Sequence, residues 1–281
     1  MNSLTANKIK ATTMGQVVKI NDIKAITPNE IKAIQNCVIT HGVCVIKQPN
    51  LSVHDLNKFS SLFGENINLP TFMTYDNRVE NEPCVVRISN IDKNGVLIDN
   101  FKGAEYWHQD GDYYPDKKKQ VWNFLYAVIT PKTGGATGFS DGQRVLATLP
   151  QELLQKIEKL QISISLDDVP DFKKFKANSP NQNTSSCVYH NMVQQLDYTK
   201  TKSLYLGGLN ITKVIGYNPQ QSNQLIEELS TYLFAADNLY IHNWEPGDLL
   251  IWDNTLVYHR SMGGYGNEKR LLYRIQTWVF Q

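Results

Sequence analysis

The sequence predicts a mainly β fold, a barrel or sandwich with flanking helices, and three observations carry that expectation. From Cys84 onward the chain breaks into short runs rich in β-branched and aromatic residues, bounded by Gly, Pro, Asn or Asp. Only two helical patterns interrupt these runs, so the regular strand–helix alternation of a doubly wound parallel sheet is absent. The 281 residues show no internal repeat and no linker rich in Gly, Ser or Pro, so residues 1–281 are expected to form a single domain.

Thr27-Pro28-Asn29-Glu30 is a capping box with proline at the first helical position. Ile31, Ile34 and Val38 follow at helical spacing until Gly42 stops the helix. Val43 to Ile46 is a short apolar run that reads as a strand. Ser52-Val53-His54-Asp55 is a second capping box, leading a helix with Leu56, Phe59, Leu62 and Phe63 on one face and Gly64 as its stop. Val85 to Ser89, Val121 to Ile129, Ser203 to Leu206, Leu249 to Trp252 and Leu271 to Phe280 read as strands. Helical patterns occupy Asp141 to Leu160, broken at Pro150, and a stretch opening at Asn218-Pro219 with Leu225, Ile226, Leu229 and Leu233 on one face. Residues 167–202 are the most polar and least periodic, and are expected to form an active-site loop or lid.

Hydrophobic content of 41%, charged content of 20% and a net charge of +1 describe an ordinary soluble globular protein. Such a balance gives no field to steer the chain toward nucleic acid or an anionic membrane. Lys117-Lys118-Lys119 and Lys173-Lys174 lack interleaved aromatics and read as solvated loops. The four cysteines, Cys37, Cys44, Cys84 and Cys187, form no CxxC pair and read as reduced thiols. With no secretory signal at the start and no apolar stretch of ~20 residues, the expected location is the cytoplasm. A small-molecule substrate is the expected partner, and a homo-oligomer is left open.

The chemistry sits in His108-Gln109-Asp110, with His259 far downstream and then Arg270 and Arg274. Side chains two apart on an extended segment point to one face, so His108 and Asp110 are able to share one ion. A distant imidazole would complete a two-His-one-carboxylate set, which suits non-haem Fe(II). His242 competes with His259 for the third place, and Asp112 with Asp110. Arg270 and Arg274, four apart in a strand-like run, face the same side, while Leu271, Tyr273 and Ile275 face the other. A guanidinium pointing into a barrel needs an anion to meet it.

In combination these residues resemble the TauD/TfdA-type Fe(II)- and 2-oxoglutarate-dependent dioxygenases, over most of the chain. The resemblance rests on Phe63-Gly64-Glu65, Trp107-His108-Gln109-Asp110, Thr133-Gly134-Gly135-Ala136-Thr137, the run from Trp244 to Asn254 (WEPGDLLIWDN), His259, and Arg270-Leu271-Leu272-Tyr273-Arg274. It implies a double-stranded β-helix, the cupin-like jelly roll, with His108, Asp110 and His259 on the iron. His259 is preferred to His242 for its spacing from Arg270 and from the Asp253-Asn254 turn. It further implies that Arg270 and Thr137 bind the distal carboxylate of 2-oxoglutarate, and that Arg274 meets the cosubstrate's C1 carboxylate or an acid group of the substrate.

The implied reaction is oxidative decarboxylation of 2-oxoglutarate by O2 to succinate and CO2, coupled to hydroxylation, desaturation or ring closure. Asp110 disfavours halogenation, whose catalysts on this scaffold carry Gly or Ala there. The stretch from Trp244 to Thr277 is also similar to carbapenem synthase, pointing to a small amino-acid-derived substrate with a carboxylate or sulfonate. Tyr113, Trp107, Arg87 and Asn90 are candidate pocket residues beside Arg274. Trp122 and Tyr114 are weaker ones. His41 and His54 read as helix-end or surface residues, and His190 receives no role. Two other classes stand against this reading: a zinc-type metallohydrolase on the same triad, and a catalytically inactive small-molecule binder.

Overall fold

The computed structural model describes residues 13–68, 77–98, 104–112, 121–165, 187–195, 200–208 and 212–279. In chain order the elements are β1 (Gln16–Val17), α1 (Pro28–His41), β2 (Val43–Ile46), α2 (Val53–Ser61), β3 (Gly64–Asn66), β4 (Arg78–Val79), β5 (Glu82–Ser89), β6 (Val121–Ile129) and β7 (Thr137–Asp141). There follow α3 (Gly142–Thr148), α4 (Gln151–Ile157), β8 (Gln161–Ser165), β9 (Cys187–Asn191), β10 (Val193–Gln195), β11 (Lys202–Leu204), β12 (Thr212–Val214) and α5 (Pro219–Leu233). The chain closes with β13 (Leu239–His242), β14 (Leu249–Asp253), β15 (Val257–Ser261) and β16 (Leu271–Val279).

The larger sheet runs β1-β2-β14-β6-β16-β5-β4, with β3 also on β16. A smaller antiparallel sheet, β13-β7-β15, faces it. Alternation divides each strand of the larger sheet between two cores. Leu125, Leu250, Trp252 and Leu272 point inward and meet Phe139 and Val257 of the smaller sheet. Phe124, Leu249, Ile251 and Ile275 point outward and are covered by Ile34 and Val38 of α1 and Leu56 and Phe59 of α2. Two sheets closed over one core, helices outside, have the layout of the jelly roll that the resemblance implies. A third core joins α3, α4 and α5 to β8, β9 and β12.

Both predicted capping boxes form, at Thr27/Glu30 and Ser52/Asp55, and Asn218/Gln221 adds a third at α5. Pro150 breaks the predicted helical stretch into α3 and α4. Leu62 was expected on the apolar face of α2 but lies at the helix end and is 45% exposed. Gly64 does more than stop that helix: it opens β3, where an added Cβ would meet the Trp278 carbonyl. The predicted strand at Ser203 to Leu206 shifts to Lys202–Leu204, because Leu206 N–H leaves the ladder for the Tyr258 hydroxyl, 2.8 Å away.

Part of the proposed loop 167–202 is described. Its residues Cys187–Asn191 pair with β8, and Val193–Gln195 pair with β11. The remainder, 167–186 and 196–199, lies outside the described residues. The strands of the smaller sheet were not anticipated; they are short, and glycine, serine and histidine interrupt their apolar alternation. Among the described residues no helix is long and apolar enough to cross a membrane.

Candidate metal centre

His108 enters the smaller sheet as a single bridge opposite His259, with His108 N–H on the His259 carbonyl (3.1 Å) and the reverse bond at 2.9 Å. The two imidazoles therefore stand side by side, centroids 4.3 Å apart. Asp110 opens the turn that follows and swings its carboxylate between them. Its Oδ1 lies 3.7 Å from His108 Nε2 and its Oδ2 3.5 Å from His259 Nε2. One ligand atom from each of the three residues falls within 4.8 Å of the others. Ligands in adjacent positions about 2.1 Å from one ion are roughly 3 Å apart, so small side-chain adjustments suffice to close the set on a metal.

Neighbouring groups pin these side chains. His108 Nδ1–H donates to the Tyr106 carbonyl (2.9 Å), which leaves Nε2 with its lone pair toward Asp110. Asp110 Oδ2 accepts from Asn123 Nδ2 (2.8 Å) and from an Arg274 Nη (3.1 Å). Gln109, between the two candidate ligands, donates through Nε2 to the Asn254 and Thr255 carbonyls and accepts from Gly207 N–H. It thus ties the motif to the turn after β14. Burial pushes the Asp110 carboxyl up, but Arg274 and both imidazoles overcome it and hold the group well below the usual carboxylate range. Burial, and then the neighbouring His259, bring His108 down to about 4, so its ring is neutral at ordinary pH. An ionised carboxylate beside a neutral imidazole is a metal-ready state.

Arg270 lies immediately before β16 and Arg274 within it, four residues on. Arg270 is 4% exposed; its Nε donates to the Gly135 carbonyl (3.2 Å) and its guanidinium lies over the Tyr265 ring. Among the described residues no carboxylate neutralises it. Burial lowers its pKa, although Tyr265 works against that. Backbone closes this end of the barrel: a Cβ on Gly134, at φ +71°, would strike the Gly264 carbonyl carbon at 2.4 Å. Only glycine allows the two loops to touch.

Thr137 is buried on β7, and its Oγ1 accepts from Trp244 Nε1 at 2.9 Å. The hydroxyl proton is therefore available to donate elsewhere. Behind Trp244, His242 packs edge-on to the indole, 4.7 Å between centroids. Its Nε2 meets Asp248 Oδ2 (3.1 Å) and its Nδ1 meets the Tyr240 hydroxyl (2.9 Å). Both nitrogens of the rival third ligand are thus committed to a buried network that includes the Lys47–Asp248 pair.

Other candidates are placed differently. Asp112 turns its Oδ2 to Gly208 N–H (2.7 Å), away from the imidazoles, and His190 Nε2 donates to its carbonyl. Trp107 was expected at the substrate pocket but stacks on Phe234 (4.5 Å, 10°) beneath the Arg260 guanidinium, since successive residues of an extended chain face opposite ways. Arg87 pairs across from Tyr273, on the face opposite Arg274, and spends its guanidinium on the Ile91 and Asp92 carbonyls. Asn90 likewise clamps backbone, accepting from Arg270 N–H and donating to the Glu268 carbonyl. Trp122 faces the helices and donates to Asp253. Tyr113 and Tyr114 lie outside the described residues.

Asn123, the group that steadies Asp110, belongs to none of the motifs that point to the site. A lone amide in the otherwise apolar run Val121–Ile129 marks the position, but not the partner it meets. Two imidazoles, a carboxylate and an unneutralised buried guanidinium fit a divalent iron-type ion together with an anionic chelator.

The family model for the taurine catabolism dioxygenase TauD, TfdA family matches residues 4–276. The (S)-phenoxypropionate/alpha-ketoglutarate dioxygenase of Sphingobium herbicidovorans is 27% identical, over 66% of this chain and 69% of its own. Pentalenolactone F synthase of Streptomyces avermitilis is also 27% identical, over 98% of this chain and 94% of its own. Among solved structures, AAD-2 in complex with Mn(II) and N-oxalylglycine aligns at a TM-score of 0.79 and 21% identity, covering 96% of this chain and 97% of that one.

Proposed function

Because the chain belongs to the TauD/TfdA family of 2-oxoglutarate-dependent dioxygenases, we propose that it is an Fe(II)-dependent member that hydroxylates, desaturates or cyclises a small, amino-acid-derived acid. The observation that carries this reading is the converging His108–Asp110–His259 cluster in the same barrel as Arg270, a buried cation facing no carboxylate among the described residues. A zinc hydrolase on the same triad leaves Arg270 without a purpose. An inactive binder has no need of three converging ligand atoms.

In this reading His108, Asp110 and His259 hold Fe(II). Arg270 and the Thr137 hydroxyl hold the distal carboxylate of 2-oxoglutarate, and Arg274 meets its C1 carboxylate or an acid group of the substrate. Once bound, iron and cosubstrate supply the O2-driven decarboxylation to succinate and CO2 that takes hydrogen from a C–H group. The protein's own part is positioning. The Tyr106 carbonyl fixes the His108 ring, while Asn123 and Arg274 share one oxygen of Asp110 and fix the carboxylate plane. Phe139 and Trp252 pack beside His259 and keep water from that side.

Charge supports an acidic substrate. Two guanidiniums, one carboxylate and a divalent ion leave three positive charges; a dianionic cosubstrate offsets two of them, and an acid group on the substrate offsets the last. Four cysteines that form no disulfide support a cytoplasmic enzyme, and the family match along nearly the whole chain supports one catalytic domain. A net charge of +1 supports small molecules, rather than nucleic acid or membrane, as partners.

The test is anaerobic titration of the Fe(II) protein with 2-oxoglutarate, followed by succinate release in air. Wild type is expected to develop a weak visible charge-transfer band, and His108→Ala to lose it. Arg270→Met is expected to raise the 2-oxoglutarate concentration needed by about 10- to 100-fold, the equivalent of ~1.5–3 kcal/mol for a buried charge-assisted bond. No band in wild type would reject the assignment; an unshifted titration in the Arg270 variant would reject that residue's role.

A further inference from the structure

Gln276 carries a buried side-chain carbonyl oxygen, Oε1, that accepts no hydrogen bond among the described residues. Only 2% of the residue is exposed. Register fixes the face it occupies. It pairs directly across β16 and β6 with Asn123, and directly opposed residues share a face. That face is the site's, because Asn123 donates to Asp110. Arg274, two residues earlier on the same strand, reaches the same oxygen of Asp110. Gln276 is therefore the next inward position beyond Arg274, flanking the metal cluster.

Its surroundings increase the cost of leaving it unpaired. Ile67, Val86 and Val121 form an apolar cluster with Trp278 against it, and the register sets Val86 and Trp278 on the face of Arg274 and Gln276. A carbonyl oxygen buried among such neighbours without a partner is costly to desolvate. Asn123 shows the same property. Both acceptors of its Nδ2, Asp110 Oδ2 and Asn254 Oδ1, identify that atom as nitrogen, so Asn123 Oδ1 is a carbonyl oxygen, and it is buried without a partner. Two unpaired carbonyl oxygens thus occur on one cross-strand pair, beside the guanidinium of Arg274, whose Nε is also unpartnered.

We propose that Gln276, with Asn123 beside it, is the specificity determinant of the substrate site: it accepts hydrogen bonds from an amino or hydroxyl group that lies next to the acid group held by Arg274. The preferred substrate class is an α-amino or α-hydroxy acid with an apolar body, the body resting on the cluster of Ile67, Val86, Val121 and Trp278. This rests on the oxygenase reading above and narrows it, since an acid without an adjacent donor would leave the Gln276 carbonyl unpaired inside the complex.

The probes are three acids of one skeleton, phenylalanine, phenyllactate and 3-phenylpropionate, with leucine, 2-hydroxyisocaproate and 4-methylvalerate as a second set. Each is titrated into the anaerobic Fe(II)–2-oxoglutarate protein while the shift of the visible band is read. Succinate release then separates kcat from KM. In wild type the donor-bearing acids are expected to bind about tenfold more tightly than the bare acids. Gln276→Met, similar in length but without the amide, brings that ratio near one through KM. Gln276→Glu, which keeps an acceptor, preserves it for the amines and so separates lost recognition from a damaged fold. The proposal is overturned if the bare acids bind equally well in wild type, if Gln276→Met keeps the ratio, or if no donor-bearing acid shifts the band. Absence of the band itself sinks the parent reading and this one together, whereas a band with an unchanged ratio sinks this one alone.

Discussion

Trp244 carries no chemistry of its own, yet its indole N–H decides where the Thr137 hydroxyl proton points. With one lone pair occupied, the hydroxyl acts as donor toward the barrel interior, where the proposed 2-oxoglutarate carboxylate would meet Arg270. Trp244→Phe and Thr137→Val are each expected to weaken 2-oxoglutarate binding several-fold, and the double variant by less than the product of the two. Equilibrium titration of the visible band measures this coupling; strictly multiplicative effects would assign Trp244 a packing role only. At this scale the nearness of His108 and Asp110 was legible from their spacing, while His259 was picked out only through the resemblance. Asn123, Gln109 and Trp244 were not legible, because each acts through a partner 13 to 146 positions away along the chain. Arg87 and Asn90, polar residues near the motif, have their side chains engaged by backbone carbonyls and an N–H group, which sequence spacing does not reveal.

The first turn of α2 concentrates local electrostatics. The Lys24 ammonium (2.8 Å) and then the Ser52 hydroxyl (2.7 Å) hold the Asp55 carboxyl at about 2. A folded-state value below the unfolded one means the carboxylate stabilises the fold above the ordinary carboxyl range, and that this stabilisation is lost as pH falls. Asp55→Asn is therefore expected to lower the melting temperature at pH 7 by a small amount, with the gap narrowing below about pH 4 and closing near pH 2. A gap independent of pH would indicate that the capping geometry, rather than the charge, provides the stabilisation. Helix ends such as this were legible because a cap needs only residues three apart. The smaller sheet was not: β7, β13 and β15 are four or five residues long, and their Gly138, Ser140, His242 and His259 obscure the alternation that marks a strand.

At the scale of the molecule the candidate site fastens the two sheets together. His108 and His259 belong to the smaller sheet, Arg274 and Asn123 to the larger, and Asp110 bridges them. Ligands that engage both sheets shift the folding equilibrium by mass action, about 2.7 kcal/mol at a hundredfold excess over Kd. Mn(II) with N-oxalylglycine is expected to raise the melting temperature by several degrees, Mn(II) alone by less, and Arg270→Met to remove only the increment due to N-oxalylglycine; thermal scans of the two proteins check this. The sequence by itself determined which residues could bind a metal and which cations needed an anion, along with the helix caps and the apolar faces. Each follows from residue type and short-range periodicity. Only the tertiary structure decided that His242 is engaged by Asp248 and Tyr240 while His259 is not so engaged, that Asn123 steadies Asp110, and that Gln276 Oε1 has no partner among the described residues. These outcomes depend on strand order and register, which bring together residues more than a hundred positions apart, and no local pattern encodes that pairing.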